Sequence, residues 1–354
     1  MKNSLFEEIV KFNNKKISVI VEMSGNHQGS LNGAKKFINT SIESGADIIK
    51  FQVYTPDTIT LNTKKRDFLV KSENKWKKYK DLYSLYKEAH TPWKWIKPLT
   101  EIINKKKKAW FASPFDHTAV DFLEKLKCPA YKLASPEITD VGLLEKIVST
   151  NKPILLSTGV ATIKDIDLAI KIIKKKHNKY AILKCVSAYP TPFNELNLKG
   201  INLLKKKYKC VVGFSDHTVG DLAAKAAVSL GATIVEKHFK VDGDKVSIDQ
   251  HFSMNLSKLR KFKKELDDTQ VCLGEENLDI LKSAKKNMSA RRSLYVCKNI
   301  KKGEKFTINN VRSVRPGLSL HPKYLKNLLG KKSLKDLYPG DRILRKQLTT
   351  NKKK

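Results

Sequence analysis

The sequence predicts a (β/α)8 TIM barrel followed by a small β-rich C-terminal domain. Two patterns predict the barrel. Eight short apolar runs alternate with amphipathic stretches of helical spacing between residues 17 and 239, and such an alternation closes as a ring of parallel strands. The side chains that carry chemistry stand at the C-terminal ends of those runs, where barrels of this kind build their active sites. A third pattern predicts the second domain. From about Ser289 the runs become short, and glycines punctuate them.

The apolar runs, in order, are Ile17–Met23, Ile48–Val53, Ala109–Ala112, Ala130–Ala134, Ile154–Leu156, Ala181–Val186, Val211–Phe214 and Thr233–Phe239. All are strand-sized. Gly45, Pro129, Pro153 and Gly231 punctuate the entry to four of them. Between them, Leu31–Ser44, Ala119–Leu126, Ile163–Lys175 and Leu222–Leu230 repeat apolar residues at helical spacing. The segment Thr60–Pro92 is too long for a simple loop. It mixes charges with Trp76, Tyr79, Tyr83 and Tyr86, and a helix over the barrel mouth is expected within it. Helical stretches follow the last run at Leu256–Leu266 and Leu278–Ala284. Ser293–Val296, Lys305–Thr307 and Val311–Val314 then read as strands, with Gly303, Gly317, Gly330 and Gly340 around them. These features divide the chain into a barrel (1–270), a linker (271–288) and a second domain (289–354). A domain of about sixty residues has a marginal core, so this one is expected to dock on a barrel, its own or a partner's.

Composition narrows the function. The chain has 354 residues, 40% of them hydrophobic, enough for a sizeable core. Residues 1–16 carry charges throughout and lack the apolar centre of a secretory leader. The longest apolar runs are far too short to span a bilayer. A soluble, cytoplasmic protein without membrane association is expected. The formal net charge of +35 raises a nucleic-acid reading, but the lysines stand in the wrong places for it. Lys105–Lys108, Lys174–Lys176 and Lys205–Lys207 each close a predicted helix, where cations complement the helix dipole. In a barrel they fall on the face opposite the active site, and no aromatic residues interleave with them. No nucleic-acid partner is expected. Cys128, Cys185, Cys210, Cys272 and Cys297 stand singly with no C-x-x-C pair, so buried free thiols are expected rather than a zinc or redox motif.

The strand-end residues are Glu22, then Asn26 and His27; Lys50 and Gln52; Ser113; Lys132 and Ser135; Ser157; Lys184, Ser187 and Tyr189; Ser215, Asp216 and His217; and Glu236 and His238. Strand periodicity puts Lys50 with Gln52, Ser215 with His217, and Glu236 with His238 on common faces. A lysine inside an apolar strand is unfavourable unless paired. Lys50, Lys132 and Lys184, converging on one mouth with serines, make an anion site for a phosphate, a carboxylate or a molecule with both. His217 and His238 stand near the tops of the seventh and eighth runs. Two imidazoles with open positions suit Mn²⁺, Fe²⁺, Co²⁺ or Zn²⁺, and with carboxylates and water the set leans to Mn²⁺. Glu236, Asp216 and Asp249 are candidates to orient them. By spacing alone, His27 and His117 also stay open as ligands.

These motifs resemble the sialic acid synthase family, the bacterial N-acetylneuraminate synthases with their pseudaminate and legionaminate relatives. The stretches that carry the resemblance are Val21-Glu22 through Gly25-Asn26-His27-Gln28-Gly29-Ser30, Gly45-Ala46-Asp47 through Lys50-Phe51-Gln52, Tyr131-Lys132-Leu133-Ala134-Ser135, Leu156-Ser157-Thr158-Gly159, Gly213-Phe214-Ser215-Asp216-His217-Thr218 and Glu236-Lys237-His238-Phe239. Ala290–Leu294 through Val314–Gly317 looks like the family's antifreeze-like (SAF) domain. Tyr54–Thr60, Ser187–Pro192 and Leu320–Tyr324 lean to the pseudaminate branch. Met23-Ser24, Gln28 and Pro136 depart from common family choices.

The resemblance implies a metal-dependent condensation of phosphoenolpyruvate with an acetamido sugar and water. It implies that Lys50, Gln52, Ser113, Lys132, Ser135, Ser157 and Ser215 hold phosphoenolpyruvate. It makes His217 and His238 ligands of a divalent metal, Mn²⁺ before Mg²⁺ or Co²⁺. Glu22 becomes the central acid/base, and Asp249 and Tyr189 contact the sugar. It also implies a domain-swapped homodimer in which Arg315 reaches the amino sugar.

Overall fold

The eight apolar runs become eight parallel strands: β1 (Ser18–Glu22), β2 (Ile48–Val53), β3 (Ala109–Pro114), β4 (Tyr131–Leu133), β5 (Ile154–Ser157), β6 (Tyr180–Cys185), β7 (Val211–Asp216) and β8 (Ile234–Lys240). They pair in chain order, and β1 also pairs with β8, which closes the barrel. The short β9 (Met254–Asn255) adds beside β8. The computed structural model describes residues 6, 7, 9, 10, 17–70 and 76–349; most of residues 1–16, and with them the expectation about a leader, lies outside these. The strands are apolar along most of their length because a barrel strand is buried both toward the axis and under the helices. Gly213 shows how tight the interior is. A Cβ there would stand 2.5 Å from the Ile234 carbonyl oxygen and 2.5 Å from Leu183 Cδ2.

Each βα unit returns to the barrel floor through a helix. Among them are α1 (Leu31–Glu43), α2 (Pro56–Ile59), α3 (Leu82–Ala89), α4 (Trp93–Lys105), α5 (His117–Lys125), α6 (Val141–Ser149), α7 (Ile163–Lys174), α8 (Gly200–Tyr208), α9 (Leu222–Ser229) and α10 (Leu259–Leu273). Ser30, Asp81, Asp116, Asp140 and Thr162 accept from free N–H groups at five of their N-termini. Lys105 ends α4, Lys174 ends α7, and Lys205–Lys207 fill the last turn of α8. The lysine runs therefore sit at helix C-termini, on the face where the strands begin. Lys107, Lys127, Asn151 and Lys209 make the turn into β3, β4, β5 and β7 in the left-handed region, the usual geometry just past a helix end.

The helix expected within Thr60–Pro92 is α3. Leu85 is its buried residue, and it packs with Tyr79 and Ile248 in a small apolar cluster separate from the main core. Among the described residues no helix is long and apolar enough to cross a membrane.

The chain divides into two compact units, Met1–Gly274 and Glu275–Lys354. In the second, β10 (Ser293–Val296) pairs antiparallel with β11 (Val311–Val314). Leu294, Val296, Phe306, Val311, Leu328 and Ile343 form its core. Two expectations need correction here. Lys305–Thr307 is no strand; Lys305 makes a single bridge to Lys332. The helix expected at Leu278–Ala284 shrinks to one turn, Lys282–Lys285. Leu278, Ile280 and Leu281 are exposed, so no buried face offsets the unfavourable nucleation of so short a helix.

Candidate active site

Residues paired across neighbouring parallel strands face the same way, so the strand registers decide which side chains point into the barrel. Glu22 pairs with Lys50 and with His238, Gln52 with Ser113, and Ser215 with both Cys185 and Glu236. This inward set opens into a cavity of about 260 Å³ at the C-terminal ends of the strands. Strand residues such as Lys50, Lys132, Ser157, Ser215 and Glu236 line its floor. Loop and helix residues such as Tyr54, Trp76, Leu85, Tyr86, Ile248 and Phe252 line its mouth.

The floor is a buried chain of alternating charge. Ser24 N–H donates to Glu22 Oε1 at 2.7 Å, and Glu22 Oε2 lies 2.7 Å from Lys50 Nζ. Lys50 Nζ is 2.9 Å from Glu236 Oε1. Lys132 Nζ donates to both oxygens of Glu236, at 2.8 and 2.9 Å, and Ser215 Oγ adds a third bond at 3.0 Å. None of these four charged side chains is more than 4% exposed. Burial drives the Lys50 ammonium down to about 7, against the pull of Glu236. Burial also pushes Glu236 upward, but Lys132 and Lys50 outweigh it and hold that carboxylate below its usual range. Ser113 Oγ and Ser157 Oγ are buried with no hydrogen-bond partner. Buried hydroxyls are rarely left so; of the two, Ser157 borders the cavity and is open to an anion there.

Above the floor, the rings of His217 and His238 stand 5.5 Å apart, centroid to centroid. His217 Nδ1 lies 3.0 Å from the Val186 carbonyl oxygen. With that nitrogen protonated, Nε2 is free as a lone-pair donor. Burial, with His217 and Lys50 nearby, holds His238 well below its ordinary value and keeps it neutral. Its Nδ1 has no hydrogen-bond partner, and the nearest carboxylate oxygen, Asp249 Oδ2, is 3.8 Å away. Burial pulls His217 down, but Cys185, the Val186 carbonyl and Glu236 outweigh it and hold that imidazole above its ordinary value. Each ring still has one nitrogen without a protein partner, and a divalent metal would have to displace any proton there. Among the described residues no group of three or more His, Cys, Asp or Glu is placed to hold a metal ion, so these two imidazoles are the nitrogen ligands on offer.

Lys50, Gln52, Lys132, Ser135, Ser157 and Ser215 all border the cavity, as do Tyr189, His217, His238 and Asp249. Ser135 Oγ accepts from Val160 N–H at 2.8 Å. Glu22 lies beneath the floor, reached through Lys50. Ser113 is buried on β3 beside Gln52 without bordering the cavity. Arg315 lies in the second unit and is exposed.

Four readings of strand-end residues change. Lys184 pairs with Phe214, one residue out of phase with Cys185; it points away from the cavity and donates to the Cys185 carbonyl at 2.9 Å. Asp216 faces outward too, and binds Lys237 Nζ at 2.7 Å instead of orienting an imidazole. His27 has both nitrogens engaged, accepting from Gly29 N–H and donating to the Ala89 carbonyl, so it is no ligand. His117 is exposed at the start of α5.

Three features escaped sequence reasoning. Cys185 faces the cavity, 3.7 Å from His217 Nδ1. Glu236, expected to orient an imidazole, instead links two lysines, a role that its alternation with His238 did not reveal. Glu137, just after β4, carries a buried carboxyl oxygen with no hydrogen-bond partner.

Burial pushes Glu137 up to about 7, and Asp140 adds to the shift. The folded chain therefore holds a proton there that the unfolded chain releases. The stability this confers is full below the ordinary value of 4.5 and is lost as pH rises to about 7. Glu137→Gln is expected to flatten that part of the melting-temperature profile across this window. Parallel wild-type and variant profiles would refute the assignment.

Comparison with known proteins adds three findings. Residues 37–277 match the NeuB family and residues 291–349 the SAF domain. Over 338 residues the chain is 43% identical to the pseudaminic acid synthase of Campylobacter jejuni subsp. jejuni serotype O:23/36 (strain 81-176), covering 95% of this chain and 98% of that one. It is 36% identical over 343 residues to the N,N'-diacetyllegionaminic acid synthase of Campylobacter jejuni subsp. jejuni serotype O:2 (strain ATCC 700819 / NCTC 11168), covering 94% and 99%. Among solved structures, the N-acetylneuraminic acid (sialic acid) synthetase of Leptospira borgpetersenii serovar Hardjo-bovis superposes with a TM-score of 0.68 at 32% identity, over 77% of this chain and 90% of that one.

Proposed function

The chain belongs to the NeuB family, and from that premise we propose that it condenses phosphoenolpyruvate with 2,4-diacetamido-2,4,6-trideoxy-L-altrose and water, giving pseudaminate and phosphate. The observation that carries this reading is the buried series Glu22, Lys50, Glu236 and Lys132 beside the unpartnered hydroxyls of Ser113 and Ser157. Ammonium groups and free hydroxyls at strand ends suit a small ligand with both a phosphate and a carboxylate. The identity of 43% to a pseudaminic acid synthase, against 36% to a diacetyllegionaminic acid synthase, supports the pseudaminate branch.

In this reading Lys50, Lys132 and Gln52, with Ser113, Ser135, Ser157 and Ser215, hold phosphoenolpyruvate. The C=C pair of its methylene carbon forms the new C–C bond with the aldehyde carbon. The C=O pair moves to the aldehyde oxygen, which takes up a proton to become a hydroxyl, and electron deficiency develops at the enol carbon. Water adds there. Glu22 takes the water's proton by way of Lys50 Nζ, which borders the cavity 2.7 Å from Glu22 Oε2. The tetrahedral carbon then expels phosphate by C–O cleavage, and Lys132 stabilises the departing charge. His217 and His238 would hold a divalent cation, Mn²⁺ before Mg²⁺ or Co²⁺. Lewis-acid polarisation of the aldehyde is the chemistry a cation supplies there. Asp249 and Tyr189 position the sugar. A homodimer in which Arg315 serves the partner's sugar site belongs to the same reading. Light scattering should then give twice the 40.2 kDa chain mass; a monomer at working concentration would remove this element.

Glu22→Gln is expected to lower turnover by about 10²-fold, the usual contribution of a positioned proton-transfer group, while the KM for phosphoenolpyruvate changes little. Near-normal turnover would show that the proton goes elsewhere. The reading as a whole is tested by phosphate release from phosphoenolpyruvate with Mn²⁺, supplying in turn the altrose sugar, N-acetylmannosamine and the legionaminate precursor, each with and without EDTA. Release with the altrose sugar, abolished by EDTA, is the expected result. Release with another sugar alone would move the chain to a different branch, and release unaffected by EDTA would remove the metal.

A further inference from the structure

Helix α3 lies over the barrel mouth, its buried Leu85 packed with Ile248 and Tyr79. Asp81 Oδ1 caps its first turn, accepting from Ser84 N–H at 2.7 Å. At its other end the Ala89 carbonyl accepts from His27 Nε2 at 3.1 Å. Ile248, in the loop after β8, has its carbonyl fixed by Trp76 Nε1–H at 3.1 Å. Gly25 lets both approach: a Cβ there would stand 3.0 Å from Ile248 Cβ and 3.5 Å from the Ala89 oxygen. Leu85, Ala89 and Ile248 thus form one apolar surface bordering the cavity. None of these three side chains is a donor or acceptor; Tyr86 of the same helix and Trp76, whose Nε1–H is already given to the Ile248 carbonyl, border the cavity beside them.

The direction of the substrate follows from the floor. The reacting aldehyde carbon must reach the anion site and the two imidazoles, so the far end of an open-chain sugar points to the mouth. In a 2,4-diacetamido-2,4,6-trideoxy sugar that end carries a C6 methyl and an acetamido methyl. In a sugar that keeps its 6-hydroxyl it carries a polar group that needs a partner. We propose that Leu85, Ala89 and Ile248 are specificity-determining residues that select the sugar by its far end, accepting methyl groups and disfavouring a 6-hydroxyl. This rests on the reading that the chain condenses phosphoenolpyruvate with an amino sugar, and it adds how the sugar is chosen.

The test compares kcat/KM, by phosphate release, for 2,4-diacetamido-2,4,6-trideoxy-L-altrose and its analogue carrying a 6-hydroxyl. An apolar pocket rejects an added hydroxyl by about 10²-fold, and the wild type is expected to discriminate to roughly that extent. Leu85→Asn and Ile248→Thr are expected to narrow the ratio to about tenfold or less, by gaining on the hydroxylated sugar. Ala89→Ser, a milder change, carries the test if either of the others fails to fold. The KM for phosphoenolpyruvate reports whether the floor is intact. Equal use of both sugars by the wild type overturns the proposal, as does a ratio that stays constant while both rates fall, the mark of a structural role alone. A wild type inactive with the trideoxy sugar overturns the functional reading, and this inference with it.

Discussion

Lys132→Met is expected to lower phosphate release by about 10³-fold and to raise the KM for phosphoenolpyruvate. The ammonium sits at the end of the buried charge series, 2.8 Å from Glu236 Oε1 and only 2% exposed. Charge that builds on the departing phosphate meets it without reorganisation, and removal of one such preorganised group lowers turnover by about 10²–10³. Loss of ground-state anion binding adds to that. Methionine keeps most of the volume, so the change reports charge more than packing. Stability should fall as well, by about 3 kcal/mol, the low end for breaking a buried ion pair, because Glu236 keeps Lys50 and Ser215 as partners. Adding Glu236→Gln should recover part of the stability and none of the turnover. Steady-state kinetics with thermal melts of both variants separate the two effects. Turnover within tenfold of wild type would remove Lys132 from the anion site.

Lys237→Met is expected to be the most destabilising single change at the strand ends, by about 3–5 kcal/mol. Lys237 and Asp216 are on the outward faces of β8 and β7 yet only 1% and 0% exposed, beneath the helical layer. Lys237 Nζ donates to Asp216 Oδ2 and to the Thr218 carbonyl, both at 2.7 Å. Asp216 Oδ1 in turn accepts from Thr218 N–H and Oγ–H, both at 2.8 Å. Removing the ammonium leaves a buried carboxylate without its cation. The penalty belongs to the orphaned charge, so Lys237→Met with Asp216→Leu should regain much of the loss. Denaturant titration of the single and double variants measures both. A single variant within about 1 kcal/mol of wild type would mean that water reaches Asp216, contrary to the burial argued from.

The two expectations also show where sequence reasoning stops. Lys132 stood out because a lysine amid apolar strand residues demands a partner, and the same signal marked Lys50. It marked Lys184 as strongly, and wrongly. Its position makes Asp216 an expected partner for a histidine, whereas it binds Lys237, which spacing gives no role outside the motif. Glu137 and Cys185 left no signal, because nothing in their spacing distinguishes a cavity from a core.

By itself the sequence determined the strand count, the parallel alternation, the polar strand ends and the second domain's texture, because these follow from local periodicity and punctuation. It also carried the family's motifs in order. The tertiary structure decided which parity of each strand faces inward, since a one-residue shift turns a side chain from the cavity to the helical layer. Lys184 and Cys185 differ by that one step. It also decided which charges meet: the bonds from Lys50 and Lys132 to Glu236 join strands far apart in the chain, and only closure of β1 on β8 brings those strands to one floor.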